Sequence, residues 1–103
     1  MKYGIIRTDT ADALIRENIL YIAENFGNSV ALKKLDELEE AILSLGDNPY
    51  IGTTPKYNVL KRQGYMVLIL EKNLVFYKIK EKIVTVYAVL GQIQNYLDII
   101  RGL

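Results

Sequence analysis

A chain of 103 residues with a formal net charge of +1, half of it hydrophobic and 24% charged, has the make-up of one globular domain spanning residues 1–103 that needs no disulfide or metal for its core. It contains neither Cys nor His, which excludes thiolate or imidazole metal sites and imidazole acid–base catalysis. No apolar run approaches the roughly eighteen residues that span a bilayer, and the start, MKYGIIRTD, lacks a signal-peptide core, so a cytoplasmic protein with no membrane contact is expected.

Residues 2–7 alternate weakly around Tyr3, Ile5 and Ile6 and predict a first strand along one edge of a sheet. Thr8, Asp9 and Thr10 are N-cap candidates, and Asp12 suits the positive end of a helix. Ala11, Ile15, Ile19, Ile22 and Phe26 then recur at helical steps up to Gly27. Asn18 falls on that apolar face and Leu20 off it, which reads as a buried polar contact and a partner contact, or as ordinary edge positions. Asn28 or Ser29 is expected to cap a second helix, whose stripe Ala31, Leu35, Leu38, Ile42 and Leu45 stops at Gly46 and Pro49. With so few residues between them, the two helices must fold back as a hairpin on one face of the sheet, Leu32 and Leu43 lying at the border of the buried surface.

Residues 48–55, NPYIGTTP, carry every local loop signal, and the basic segment 56–64 is expected to be irregular or marginally structured. Three β-branched and aromatic runs follow at 65–70, 74–79 and 83–90. They are separated by the polar triplets 71–73 and 80–82, with Asn73 offered for a left-handed position, and predict an antiparallel meander. Two of the runs are apolar at both parities, so both faces of the sheet require a cover. Past Gly91, the residues Ile93, Tyr96, Leu97 and Ile100 have the spacing of a short terminal helix, too short to cover the second face. The expected class is therefore α+β: an N-terminal strand and a helical hairpin on one face of a mostly antiparallel sheet of about four strands, a short C-terminal helix, and apolar sheet surface left for a partner.

Charge is segregated along the chain. Over residues 9–47 nine acids face three cations, a balance of −6; over residues 56–82 seven cations face two acids, a balance of +5. A basic sheet on an acidic helical base can present itself to a polyanion or to an acidic protein segment, while any single Lys also serves to discourage edge pairing. Glu71 and Glu81 sit beside Lys in predicted turns as solvated, salt-linked charge.

The order of a strand, a helical hairpin, the N-P-Y-I-G loop, a basic approach to Gly64-Tyr65, a strand ending Val75-Phe76-Tyr77, and the run Val89-Leu90-Gly91-Gln92-Ile93-Gln94-Asn95-Tyr96 resembles the RelE/ParE toxin superfamily over essentially the full length. The resemblance implies the toxin of a type II toxin–antitoxin module of plasmid-stabilisation type. Such a toxin inhibits growth until a cognate antitoxin wraps it, with Leu20, Met66, Leu68 and Tyr96 as antitoxin contacts. Members divide into ribosome-dependent messenger RNA nucleases and inhibitors of DNA gyrase. Cleavage at a 2′-hydroxyl needs a base, an acid and cations, yet this chain has Met66, Leu68, Gly91 and Gln92 where nucleases of the family place Arg or His. What remains for catalysis is Lys61, Arg62, Tyr65 and Tyr77, with Lys72, Lys78, Tyr87 and Tyr96 as further cations or stacking surfaces. The resemblance thus favours binding to gyrase through Lys56, Lys61, Arg62, Lys72, Lys78 and Tyr87, with no cofactor and no metal. The alternatives are a messenger nuclease acting on the ribosome, and a non-toxic binding module of the same shape.

Overall fold

The computed structural model describes residues 2–91. Its elements run β1 (Gly4–Arg7), α1 (Asp9–Phe26), α2 (Asn28–Ser44), α3 (Asn58–Arg62), β2 (Met66–Ile69), β3 (Asn73–Lys80) and β4 (Ile83–Gly91). The four strands form one sheet in the order β1-β4-β3-β2, with β1 parallel to β4 and the other pairs antiparallel. The expected α+β arrangement is therefore present, and the N-terminal strand closes one edge as the sequence suggested. The expected terminal helix lies outside the described residues.

Thr8 starts α1, its hydroxyl accepting from the Ala11 N–H at 3.1 Å, with Asp9 and Asp12 in the first turn where carboxylates favour the helix dipole. Gly27 ends α1 and begins α2 as a single linking residue, at φ 96°, a conformation that favours glycine. Neither Asn28 nor Ser29 is the cap expected from sequence; both already belong to the helix or its first turn. Arg7 ties the layers together, its Nε 2.9 Å from Asp12 Oδ1 and its Nη1 2.9 Å from Glu39 Oε2. Leu32 and Leu43 face outward rather than bordering the core, because α2 buries Ala31, Leu38 and Ile42; Phe26 is exposed too, because α1 buries Ala11, Leu14, Ile15 and Asn18, a face rotated from the predicted stripe.

The helical hairpin covers one sheet face, where Ala11, Ile15, Leu38, Ile42 and Leu45 meet Leu68, Val75, Tyr77, Val84, Val86 and Val89. On the opposite face Leu60, Tyr65, Val67, Phe76, Ala88 and Leu90 form a second cluster, joined by Leu14. The second face is thus covered over its middle, more fully than the sequence suggested, while Ile69 and Ile83 on the same face stay 63% and 40% exposed. Part of the reason is that residues 56–64 carry the marginal structure expected of them: the short α3 forms there and inserts Leu60. Asn73 does not take the left-handed turn position either. It opens β3 and is buried, and the positive φ of 57° falls at Glu81 in the other hairpin. Among the described residues, no helix is long and apolar enough to cross a membrane.

Candidate functional site

Three surface features carry chemistry. The first is on the sheet face turned away from the hairpin, where the Tyr65 and Tyr87 rings meet edge to face with centroids 5.3 Å apart. The Lys78 ammonium lies 4.4 Å from the Tyr65 ring centroid and 5.2 Å from that of Tyr87, a cation held by two π faces. Burial pushes the Tyr65 phenol above its ordinary pKa, and the neighbouring Tyr87 adds to the shift. A phenol so shifted stays protonated at neutral pH and is a poor base. The Tyr65 N–H donates to Leu60 at 3.1 Å, so α3, with exposed Lys61 and Arg62, abuts this cluster.

The second feature is the loop between α2 and α3. Tyr77, fully buried, donates its hydroxyl proton to the Pro49 carbonyl at 2.8 Å and accepts the Gly52 N–H at 3.1 Å. Burial raises the Tyr77 pKa while the Gly52 bond pulls it down, and the net direction is up. Position 52 must be glycine, because a Cβ there would collide with the Tyr77 hydroxyl and lie 2.8 Å from the Val67 carbonyl. One residue on, Thr53 exchanges two backbone bonds with Val67, at 2.8 and 2.9 Å, and so occupies the outer edge of β2. Between these anchors Tyr50 and Ile51 are 69% and 56% exposed, on a backbone held from both sides.

The third is a cleft of about 310 Å³ lined by Asn18, Tyr21, Ile22, Phe26, Val30, Lys34, Lys72, Asn73 and Gly91. Its wall is apolar and two ammonium groups stand on it; Lys34 reaches Glu37 at only 3.8 Å. At its floor Asn18 Nδ2 donates to the Leu14 carbonyl at 2.9 Å and to that of Val89 at 3.4 Å. This is the buried polar contact that its place on the apolar face suggested. Asn73 Nδ2 donates to Leu90 at 3.3 Å, leaving its buried Oδ1 without a partner.

The residues singled out from sequence are therefore dispersed. Tyr65, Lys78 and Tyr87 come together, with Lys61 and Arg62 on the adjoining helix; Lys56 is exposed ahead of that helix, and Lys72 belongs to the cleft. Tyr77 is consumed by the loop clasp. Leu20 is 59% exposed, whereas Leu68 is buried under the helical hairpin and Met66, on the same parity of β2, packs partly buried against that cluster. Tyr96 lies outside the described residues. Sequence reasoning passed over Tyr50, Ile51, Val30 and Lys34; the signal for the first two was an aromatic–aliphatic pair between Pro49 and Gly52, where loops usually carry polar residues.

A family model described as "ParE toxin of type II toxin-antitoxin system, parDE" matches residues 5–96. No curated protein sequence matches the chain. Among solved structures, a chromosomal ParDE toxin–antitoxin system from P. aeruginosa is similar at 18% identity and TM-score 0.74, over 87% of this chain and 96% of that one. The RelBE2 toxin–antitoxin complex of Mycobacterium tuberculosis is similar at 14% identity and TM-score 0.67, over 89% of this chain and 100% of that one. At these identities the likeness is one of fold.

Proposed function

Because the chain belongs to the ParE toxin family of type II toxin–antitoxin systems, we propose that it arrests growth by binding DNA gyrase and is neutralised by a cognate antitoxin. The observation that carries the binding reading is the engagement of three of the side chains a nuclease would use, with only Lys61 and Arg62 of the candidates left exposed beside them. The Tyr77 hydroxyl is spent on the loop, Tyr65 is buried against Tyr87, and the Lys78 cation is held by their two rings. A phosphodiester cleaved at its 2′-hydroxyl needs a titrating group and free cations at one point, and losing a single stabilising donor typically costs about a hundredfold or more in rate. Protein binding asks only for shape, apolar contact and charge.

The antitoxin fits the cleft. A partly disordered acidic segment that orders on binding would lay an apolar side chain against Tyr21, Ile22, Phe26 and Val30 and carboxylates against Lys34 and Lys72. Solved relatives in the ParDE and RelBE groups are toxin–antitoxin structures, which supports a partner of this kind.

The test is to induce the protein and follow messenger integrity, plasmid supercoiling and the DNA-damage response in the same cells. Relaxed plasmid or double-strand breaks with intact messenger is the expected outcome. Rapid, codon-positioned messenger cleavage with normal supercoiling would overturn it in favour of ribosome-dependent cleavage, and normal growth would favour a non-toxic binding module.

A further inference from the structure

We infer that the clasped loop is the tooth by which the protein enters its target: Tyr50 and Ile51, with Ile69 two residues along β2 from the Val67 to which the loop is tied, dock into an apolar recess on a folded protein whose rim is acidic. This deepens the binding reading above and rests on it. The first support is the way the loop is held. Pro49 and Gly52 are fixed to the buried Tyr77 hydroxyl, the Ile51 N–H donates to Asn48 at 3.2 Å, and Thr53 is paired on both sides to Val67. A buried phenol spent on positioning two exposed apolar side chains leaves little backbone freedom to lose on binding, and preorganisation of that kind raises affinity without adding contacts.

The second support is the apolar surface itself. Two residues beyond each member of the Thr53–Val67 pair, Ile51 and Ile69 leave the edge at 56% and 63% exposure, with Tyr50 next to them. Rigid aromatic and aliphatic anchors of this sort dominate protein interfaces. The edge cannot serve by adding a strand at Val67, since Thr53 already occupies those groups.

Charge identifies the partner. Residues 48–70 contain no acid and three cations, Lys56, Lys61 and Arg62, all exposed. Carboxylates around the recess would complement them, and aliphatic Ile51 and Ile69 suit a protein pocket rather than a nucleic acid, which would call for stacking rings. A protruding tooth also requires a recess that already exists, which a folded target has and a segment that orders on binding does not. The antitoxin's place is the cleft, lined by a different set of residues.

The experiment uses the full chain carrying Tyr50→Ser with Ile51→Ser, a separate Ile69→Thr variant that keeps a strand-forming residue, and a Lys61→Glu/Arg62→Glu variant. Each is induced at matched protein level, and each is purified for binding to gyrase and to the antitoxin encoded beside it. The Ser pair should abolish growth arrest and weaken gyrase binding by at least about thirtyfold per anchor, with antitoxin affinity unchanged within about threefold. Ile69→Thr should act in the same direction, and charge reversal should weaken binding most at low salt. Full growth arrest by the Ser pair would overturn the inference. Equal loss of antitoxin binding would assign the loop to the antitoxin and overturn it too, and arrest abolished by charge reversal but untouched by the Ser pair would point to a nucleic acid. Failure of wild-type protein to bind gyrase would overturn the gyrase reading alone, because the growth assay still reads the tooth.

Discussion

Replacing Tyr77 by Phe removes one oxygen and keeps the ring, so it isolates the clasp. In the folded protein that oxygen donates to Pro49 at 2.8 Å and accepts from Gly52 at 3.1 Å. Pro49 is buried, so its carbonyl is left without a donor and bears close to the full penalty for an unsatisfied buried group, about 1–3 kcal/mol; Gly52 is half-buried and water can replace part of its loss. The expected destabilisation is about 2 kcal/mol, which for a domain of this size lowers Tm by roughly 8–16 °C. Denaturant titration measures the energy, and amide exchange at Gly52 and Thr53 measures whether the loop has come loose ahead of global unfolding. A melting temperature within about 2 °C of wild type, with unchanged exchange, would refute the reasoning.

The same variant has a signature at high pH. Burial raises the Tyr77 pKa in the folded state. Below the ordinary tyrosine value near 10 the phenol is neutral folded or unfolded, and pH has no effect through this group. Above that value the unfolded chain releases the proton while the native state retains it, so stability falls as pH rises toward the folded-state pKa. Wild type should therefore lose stability above about pH 10 more steeply than Tyr77→Phe. The slope left in the variant belongs in part to Tyr65, which is raised as well.

Ile42→Asp places an unpaired carboxylate among Leu38, Leu45 and Val84 and should abolish the cooperative melt, a cost of several kcal/mol that circular dichroism would register. Gly91→Ala would drive a Cβ onto Asn18 Oδ1, so the Asn18 side chain must give up its place or α1 must move; a loss of about 1–3 kcal/mol is expected, relieved in part by Asn18→Ala in the same chain. Arg7→Met breaks both ion pairs, but the three side chains are 31–42% exposed, so the loss should stay near about 1 kcal/mol and shrink in high salt.

The helical hairpin was legible because Ala31, Leu38, Ile42 and Leu45 repeat at a spacing that only one face of a helix satisfies, and all four are buried. The first helix was read less well. Ile15 and Ala11 belong to the core, but Leu14 and Asn18 outrank Ile22 and Phe26 in burial, since only the N-terminal half of α1 crosses the sheet at β4 while its far half opens onto the cleft. Periodicity tells which residues share a face and not how much of that face is covered. The candidate site was less legible still: the clasp joins Tyr77 to a loop twenty-five residues away, and no local pattern records that a phenol will be spent on a backbone.

The same limit explains why the sheet looked as though it should be bare. Alternation would set Val84, Val86, Ala88 and Leu90 on one face, leaving Tyr87 and Val89 as an apolar surplus on the other. In the structure Phe76 pairs with Ala88 while Tyr77 pairs with Val86, so Tyr87 is an extra residue in β4. From that point the parity inverts: Val84, Val86 and Val89 pack under the helical hairpin, and Ala88 and Leu90 join Leu60 on the opposite side. The inserted residue is also what brings the Tyr87 ring to Tyr65 and Lys78, on the face where Thr85 and Lys78 pair. One irregularity thus accounts for two findings, the burial of residues that alternation would have left exposed and the assembly of the cation–aromatic cluster. Its physical consequence is to cover the middle of the sheet, so that among the described residues the exposed apolar side chains lie on the outer helix faces, in the Tyr50–Ile51 loop and at sheet-margin positions such as Ile69.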